Sequence, residues 1–183
     1  MLALQLAALL LPSASNQERH RPQRRAPTLA EEVLQLGPKP GVIVVAGERL
    51  VTAAANLTIP KTALLRFEVG GFLSIESGAS VTIDGALEAS VFTIFDGPGK
   101  GNVRFGCCPQ LVTTAYPQWW GSATDGTTDD TAAIQAALDS FPHDQHLIDQ
   151  GMDPRGQVTF PRGVYKVTAP LVLAGSIGLL GHG

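Results

Sequence analysis

Three of the four carboxylates in the stretch SATDGTTDDTAAIQAALDS at residues 122–140 crowd its head: Asp125, Asp129 and Asp130. Acids this close could share a proton for general acid–base work or hold a divalent cation. A calcium loop of the common kind needs a D-x-D-x-D-G run with a glutamate further on, and this stretch has neither. The same residues suit a helix start. Side-chain oxygens of Thr128, Asp129 and Asp130 can accept from the first unpaired N–H groups, and the acids' charge suits the positive end of the helix dipole. Asp125-Gly126 supplies a turn into that cap. Ala133, Ile134, Ala137, Leu138 and Phe141 recur at helical spacing, which predicts a helix over 129–141 with a narrow apolar stripe. The spacing favours capping over chemistry.

Other residue types that could do chemistry are scattered. His143, His146, Asp149 and Asp153 would converge on a metal if their segment were helical, but Pro142, Gly151 and Pro154 favour an irregular loop. Tyr116, Trp119 and Trp120 could stack on the apolar faces of sugar rings; a docked linker uses the same aromatics and is the favoured role. Cys107 and Cys108 are adjacent, so a bond between them needs unusual backbone geometry, and two thiols are expected instead. No CxxC spacing exists for a zinc ribbon. His182 reads as a turn residue without a partner for nucleophilic catalysis. Asn56-Leu57-Thr58 matches a glycosylation sequon, which matters only in a eukaryotic secretory route. Nothing here calls for a cofactor.

The elements that must position these residues follow from composition and pattern. A content of 44% hydrophobic and 16% charged residues describes a folding chain. The net charge of -3, with the basic residues gathered only at Arg19–Arg25, argues against a nucleic-acid partner. The opening apolar run and the small residues after it (residues 1–15) match a secretory signal, although no Lys or Arg precedes the run; export is expected. That run is too short to span a bilayer, which takes about 20 apolar residues, and no transmembrane segment is expected. Residues 16–40 read as a polar linker with a short helix at TLAEEVLQL (28–36), ended by Gly37-Pro38.

From residue 41 to 106 the pattern changes to short β-rich runs: VIVVAG, LTIP, LLRFEVGG, LSIESG, VTIDG, FTIFDG and NVRFG. They recur about every ten residues without helices between them, which excludes an alternating βαβ fold and leaves a sandwich, a barrel or a stack of coils. Residues 107–128 form a turn-rich linker, a loop is expected over 142–156, and strands return with QVTFP, VYKV, LVL and IGLL.

WWGSATDGTTDDTAAIQAALDS, followed by GQVTFPRGVYKVTAPLVL and IGLLGHG, closely resembles the start of the pectate lyase-like domain of the rhamnogalacturonase and epimerase-like superfamily. SGASVTIDGALEAS and TIFDGPG resemble the β-rich leader that precedes that domain in some members. The resemblance covers about residues 40–183. It implies an all-β fold: a β-rich leader (41–106), then the N-terminal part of a right-handed parallel β-helix with a capping α-helix (129–183). In that reading the helix covers the open end of the β-helix, whose sheet edges would otherwise template aggregation. QVTFP, VYKV, LVL and IGLL are its first strands, with Pro161, Gly163 and Gly175 at corners.

The resemblance also implies a polysaccharide partner. Hydrolases of this family use paired carboxylates on later coils, and lyases use acids for calcium with a base to remove a proton. Residues 157–183 hold roughly one coil and contain no Asp or Glu; Arg162 and Lys166 are their only charged groups, with an exposed structural role favoured. The expected protein is therefore a secreted polysaccharide lyase or glycoside hydrolase whose catalytic coils lie outside this chain. The alternative is a non-catalytic, glycan-binding or tailspike-like attachment module.

Overall fold

The computed structural model describes residues 27–54, 56–106, 110–142, 156–174 and 177–182. The apolar opening, Cys107, Cys108, His143, His146, Asp149, Asp153 and Gly175 lie outside them. The fold is mostly β, built from short parallel sheets, with two α-helices among the described residues. No described helix is long and apolar enough to cross a membrane.

Nine strands occupy the first part of the chain. They are β1 (Gly41–Val45), β2 (Glu48–Val51), β3 (Leu57–Ile59), β4 (Ala63–Phe67), β5 (Phe72–Ile75), β6 (Val81–Ile83), β7 (Ala86–Glu88), β8 (Phe95–Asp96) and β9 (Val103–Phe105). Each of β1 to β6 pairs in parallel with the strand three places later, giving sheets β1-β4-β7, β2-β5-β8 and β3-β6-β9. The chain thus visits three sheets in turn and repeats the circuit: Leu57 lies beside Val81, and Val81 beside Val103.

Alternation within the strands explains the core. Ile43 and Val45 point inward while Val42 and Val44 face out, and Leu57 and Ile59 flank an exposed Thr58. Inward residues stack in register from lap to lap, as in Ile59, Ile83 and Phe105. Two of these strands, β2 (ERLV) and β7 (ALE), are absent from the expected runs, because neither carries a β-branched or aromatic cluster that marks a strand by composition.

Helix α1 (Leu29–Leu36) packs against β1, β2 and β3 and buries Leu29. Thr28 caps it in a reciprocal box with Glu31, and Gly37 (φ 57°) ends it. Arg49 of β2 ties the helix down through Glu32 Oε1 at 2.7 Å and the Pro27 carbonyl at 3.2 Å. The short helix expected at 28–36 is thus packed on the first three strands.

The second part contains β10 (Thr114–Ala115), β11 (Asp125–Asp129), β12 (Gly156–Phe160), β13 (Val164–Lys166) and β14 (Ile177–Gly181). They form the parallel sheets β10-β12-β14 and β11-β13. Helix α2 (Thr131–Asp139) is shorter than the helix expected over 129–141, because residues 125–129 are drawn into pairing with β13. It packs on two 3₁₀ turns, Lys100–Asn102 and Pro117–Trp120, with Ala133, Ile134, Ala137 and Leu138 buried. Phe141 just beyond it meets Phe105 of β9 at 5.3 Å, and a Cβ built on Gly156 of β12 would strike the Phe141 ring at 2.2 Å. Phe141 thus lies between Phe105 of β9 and Gly156 of β12. LVL (171–173) is not a strand: Val172 is held by the Gln135 side chain, which accepts from its N–H at 2.9 Å and donates to its carbonyl at 3.0 Å.

Candidate functional site

The three acids have separate structural partners. Asp125 accepts from the amides of Thr127 and Thr128 at 2.7 Å each and from the Thr128 hydroxyl at 2.8 Å. These bonds, the Thr128 amide foremost, hold its carboxyl far below the ordinary value of 3.8. Gly126 (φ 74°) gives the turn its left-handed step. Asp129 accepts from the Thr131 amide at 3.0 Å and from the hydroxyls of Thr131 and Thr168 at 2.5 Å. The Thr131 hydroxyl, then that of Thr168, lowers it to about 2.

Asp130 is 1% exposed and accepts from Ser122 Oγ at 2.9 Å, the Ala123 amide at 2.8 Å and the Lys166 amide at 3.3 Å. The expected capping is thus divided. Asp129 takes the first helical N–H, whereas Asp130, at the N-cap position, makes no side-chain cap because its carboxylate is turned to the linker and β13. Thr128 is likewise not a cap; its hydroxyl donates to Asp125. Asp125 and Asp129 are strongly ionised acceptors engaged by the fold, a poor state for proton transfer near neutral pH. Among the described residues, no three His, Cys, Asp or Glu side chains gather as a metal site.

The aromatics divide as well. Trp120 is fully buried and Trp119 is 4% exposed; their indole N–H groups donate to the Lys100 carbonyl at 2.9 Å and the Ser90 carbonyl at 3.0 Å. Trp120 packs on Phe95 at 5.1 Å and on Phe105 at 6.2 Å. Trp120 therefore offers no face to a sugar: its apolar area completes the core at the end of the nine strands. Tyr116 is half-buried and meets Trp119 edge-on at 5.3 Å. His182 donates its backbone N–H to the Phe160 carbonyl at 2.9 Å, Lys166 Nζ donates to the Thr127 carbonyl at 3.0 Å, and Arg162 is exposed. Asn56 is exposed at the head of β3, its side-chain oxygen accepting from Ser80 Oγ at 2.7 Å.

Tyr116 and the rim of Trp119 line an open cleft of about 300 Å³. Leu87 and Glu88 of β7, Ala89, residues 111–113 and Thr114 of β10 complete it. The cleft thus lies between β7, the last strand of its sheet, and β10, the first strand of another. Tyr116 and Trp119 were legible as ring-stacking candidates. Leu87, Glu88 and Thr113 were not; the sequence clue is the spacing from Leu65-Arg66 to Leu87-Glu88, which repeats a leucine followed by a charge of opposite sign.

No protein-family model matches the chain, and no curated protein or solved structure matches it either.

Proposed function

We propose that this chain belongs to a secreted, pectate lyase-like protein acting on polysaccharide, in which the described strands are laps of a parallel β-helix and the cleaving residues lie elsewhere. The observation that carries the reading is the pairing rule: β1 to β6 each join in parallel the strand three places later, with a step of little more than twenty residues. A stack of coils requires that rule; a sandwich of hairpins would pair neighbours in antiparallel fashion. The sequence elements WWGSATDGTTDDT and FPRGVY support the family, and the apolar opening supports export.

The division of labour rests on the acids. Asp125, Asp129 and Asp130 are engaged by backbone amides and hydroxyls, so they build the junction with α2. The same fact favours a second reading, a β-helix module that binds glycan without cleaving it. The test is to incubate the natural full-length gene product with pectic and neutral polysaccharides, following both retention on the polymer and release of new chain ends. Release supports the enzyme reading, and retention without release supports the binding module. Neither retention nor release with any polymer overturns the polysaccharide reading.

A further inference from the structure

We infer that the cleft between β7 and β10 seats a single neutral sugar ring and discriminates against uronates, an inference that rests on the polysaccharide reading above. Its position supplies the first argument. Among the described residues β7 and β10 each terminate a sheet and so have one side without a neighbouring strand, and the cleft is lined by residues of both. A strand edge presents alternating N–H and C=O groups. Sugar hydroxyls both donate and accept, so a ring can satisfy either kind from one position.

The walls supply the second argument. Tyr116 brings a half-buried aromatic ring, braced edge-on by Trp119, whose indole N–H is fixed to the Ser90 carbonyl. Leu87, Ala89 and Leu111 add apolar surface, and Thr113 and Thr114 add hydroxyls. A flat aromatic face beside a few polar groups suits the C–H face of a pyranose with its hydroxyls turned outward. At about 300 Å³ the cleft stands at the lower limit of ligand pockets, roughly 300–1,000 Å³. It takes one ring at a time.

Charge selects the sugar. Among the described residues that line the cleft, Glu88 is the one acid and none is Lys or Arg. Arg66 Nε donates to Glu88 Oε2 at 2.9 Å from β4, which fixes the orientation of the carboxylate. Because the nearest guanidinium, that of Arg66, is already paired with Glu88, a uronate's carboxylate would have to compete with Glu88 for it. A neutral ring instead offers hydroxyls for Glu88 to accept, a charge-assisted bond stronger than a neutral one.

The experiment is a calorimetric titration of the purified chain with neutral galacto- and xylo-oligosaccharides and with oligogalacturonate of equal length. The wild type is expected to bind a neutral oligomer and ignore the uronate. Tyr116→Ala should weaken neutral binding about tenfold, the order of an aromatic contact's contribution. Glu88→Gln, at an exposed position, should keep the melting temperature while weakening neutral binding and admitting the uronate; it serves if Tyr116→Ala fails to fold. Oligogalacturonate binding that Tyr116→Ala abolishes overturns the neutral assignment and leaves the polysaccharide reading standing. So does carbohydrate binding indifferent to both substitutions. No binding of any oligomer overturns the inference, while the full-length test above decides the broader reading separately.

Discussion

Asp130 is buried at the junction of three segments, and its two oxygens serve Ser122, Ala123 and Lys166. Removing the carboxylate leaves donors inside the protein without an acceptor, which costs more than the net worth of the bonds themselves. Asp130→Ala is therefore expected to lower unfolding stability by about 2–3 kcal/mol, with Asp130→Asn intermediate because its amide oxygen can still accept. Urea unfolding of both, beside Asp125→Ala, measures it. A loss for Asp130→Ala no larger than for Asp125→Ala, whose partners face solvent, would contradict this role. The acids' position before a helix was readable because side-chain oxygens and helix amides are neighbours in sequence. Their allocation was not, because Lys166 and Thr168 reach Asp130 and Asp129 only through the parallel pairing of β11 with β13.

Turns between strands are where single positions decide whether an element closes onto the lap beneath it. Gly97, just after β8, has φ 88°, and a Cβ there would lie 2.5 Å from the Ile75 carbonyl oxygen. Both the backbone conformation and the close approach exclude a side chain. Gly101, in the 3₁₀ turn, meets nothing within 4 Å. Gly97→Ala should cost roughly 1–3 kcal/mol and Gly101→Ala little, read as the difference between their thermal midpoints; equal midpoints would refute the close packing of the turn. Elements were legible in proportion to how locally they are determined. VIVVAG, LTIP and VTIDG announce strands by consecutive β-branched residues, and TLAEEVLQL reads as a short helix that Gly37-Pro38 ends. LVL has the composition of a strand, yet the Gln135 side chain supplies the bonds that a ladder would have made.

For the molecule, the proposed stacking of laps can be checked without assaying function. Thr58 of β3 and Thr82 of β6 are register partners, whereas Arg104 of β9 is one strand further on. Adjacent strands lie about 4.8 Å apart, within the Cα range that disulfides accept and well short of the two-strand distance. In a Cys107→Ser, Cys108→Ser background, oxidation should join Thr58→Cys to Thr82→Cys and leave Thr58→Cys with Arg104→Cys unlinked. Equal cross-linking, or none in either pair, would overturn the register. A spacing of about ten residues between runs left sandwich, barrel and coils open, because spacing records strand plus turn and carries no information about which strand becomes the neighbour. The cleft was hidden for the same reason: Glu88 and Tyr116 share a wall only once the lap closes.

Helix α1 gives the stack a direction. It lies against β1, β2 and β3, each the first strand of its sheet. Further along the chain β14 ends a sheet of its own, with Leu179 and Leu180 exposed. In the proposed stack, α1 stands where the last lap of a second copy would have to dock head to tail, so the helix guards the edges that a neighbouring strand would otherwise pair with.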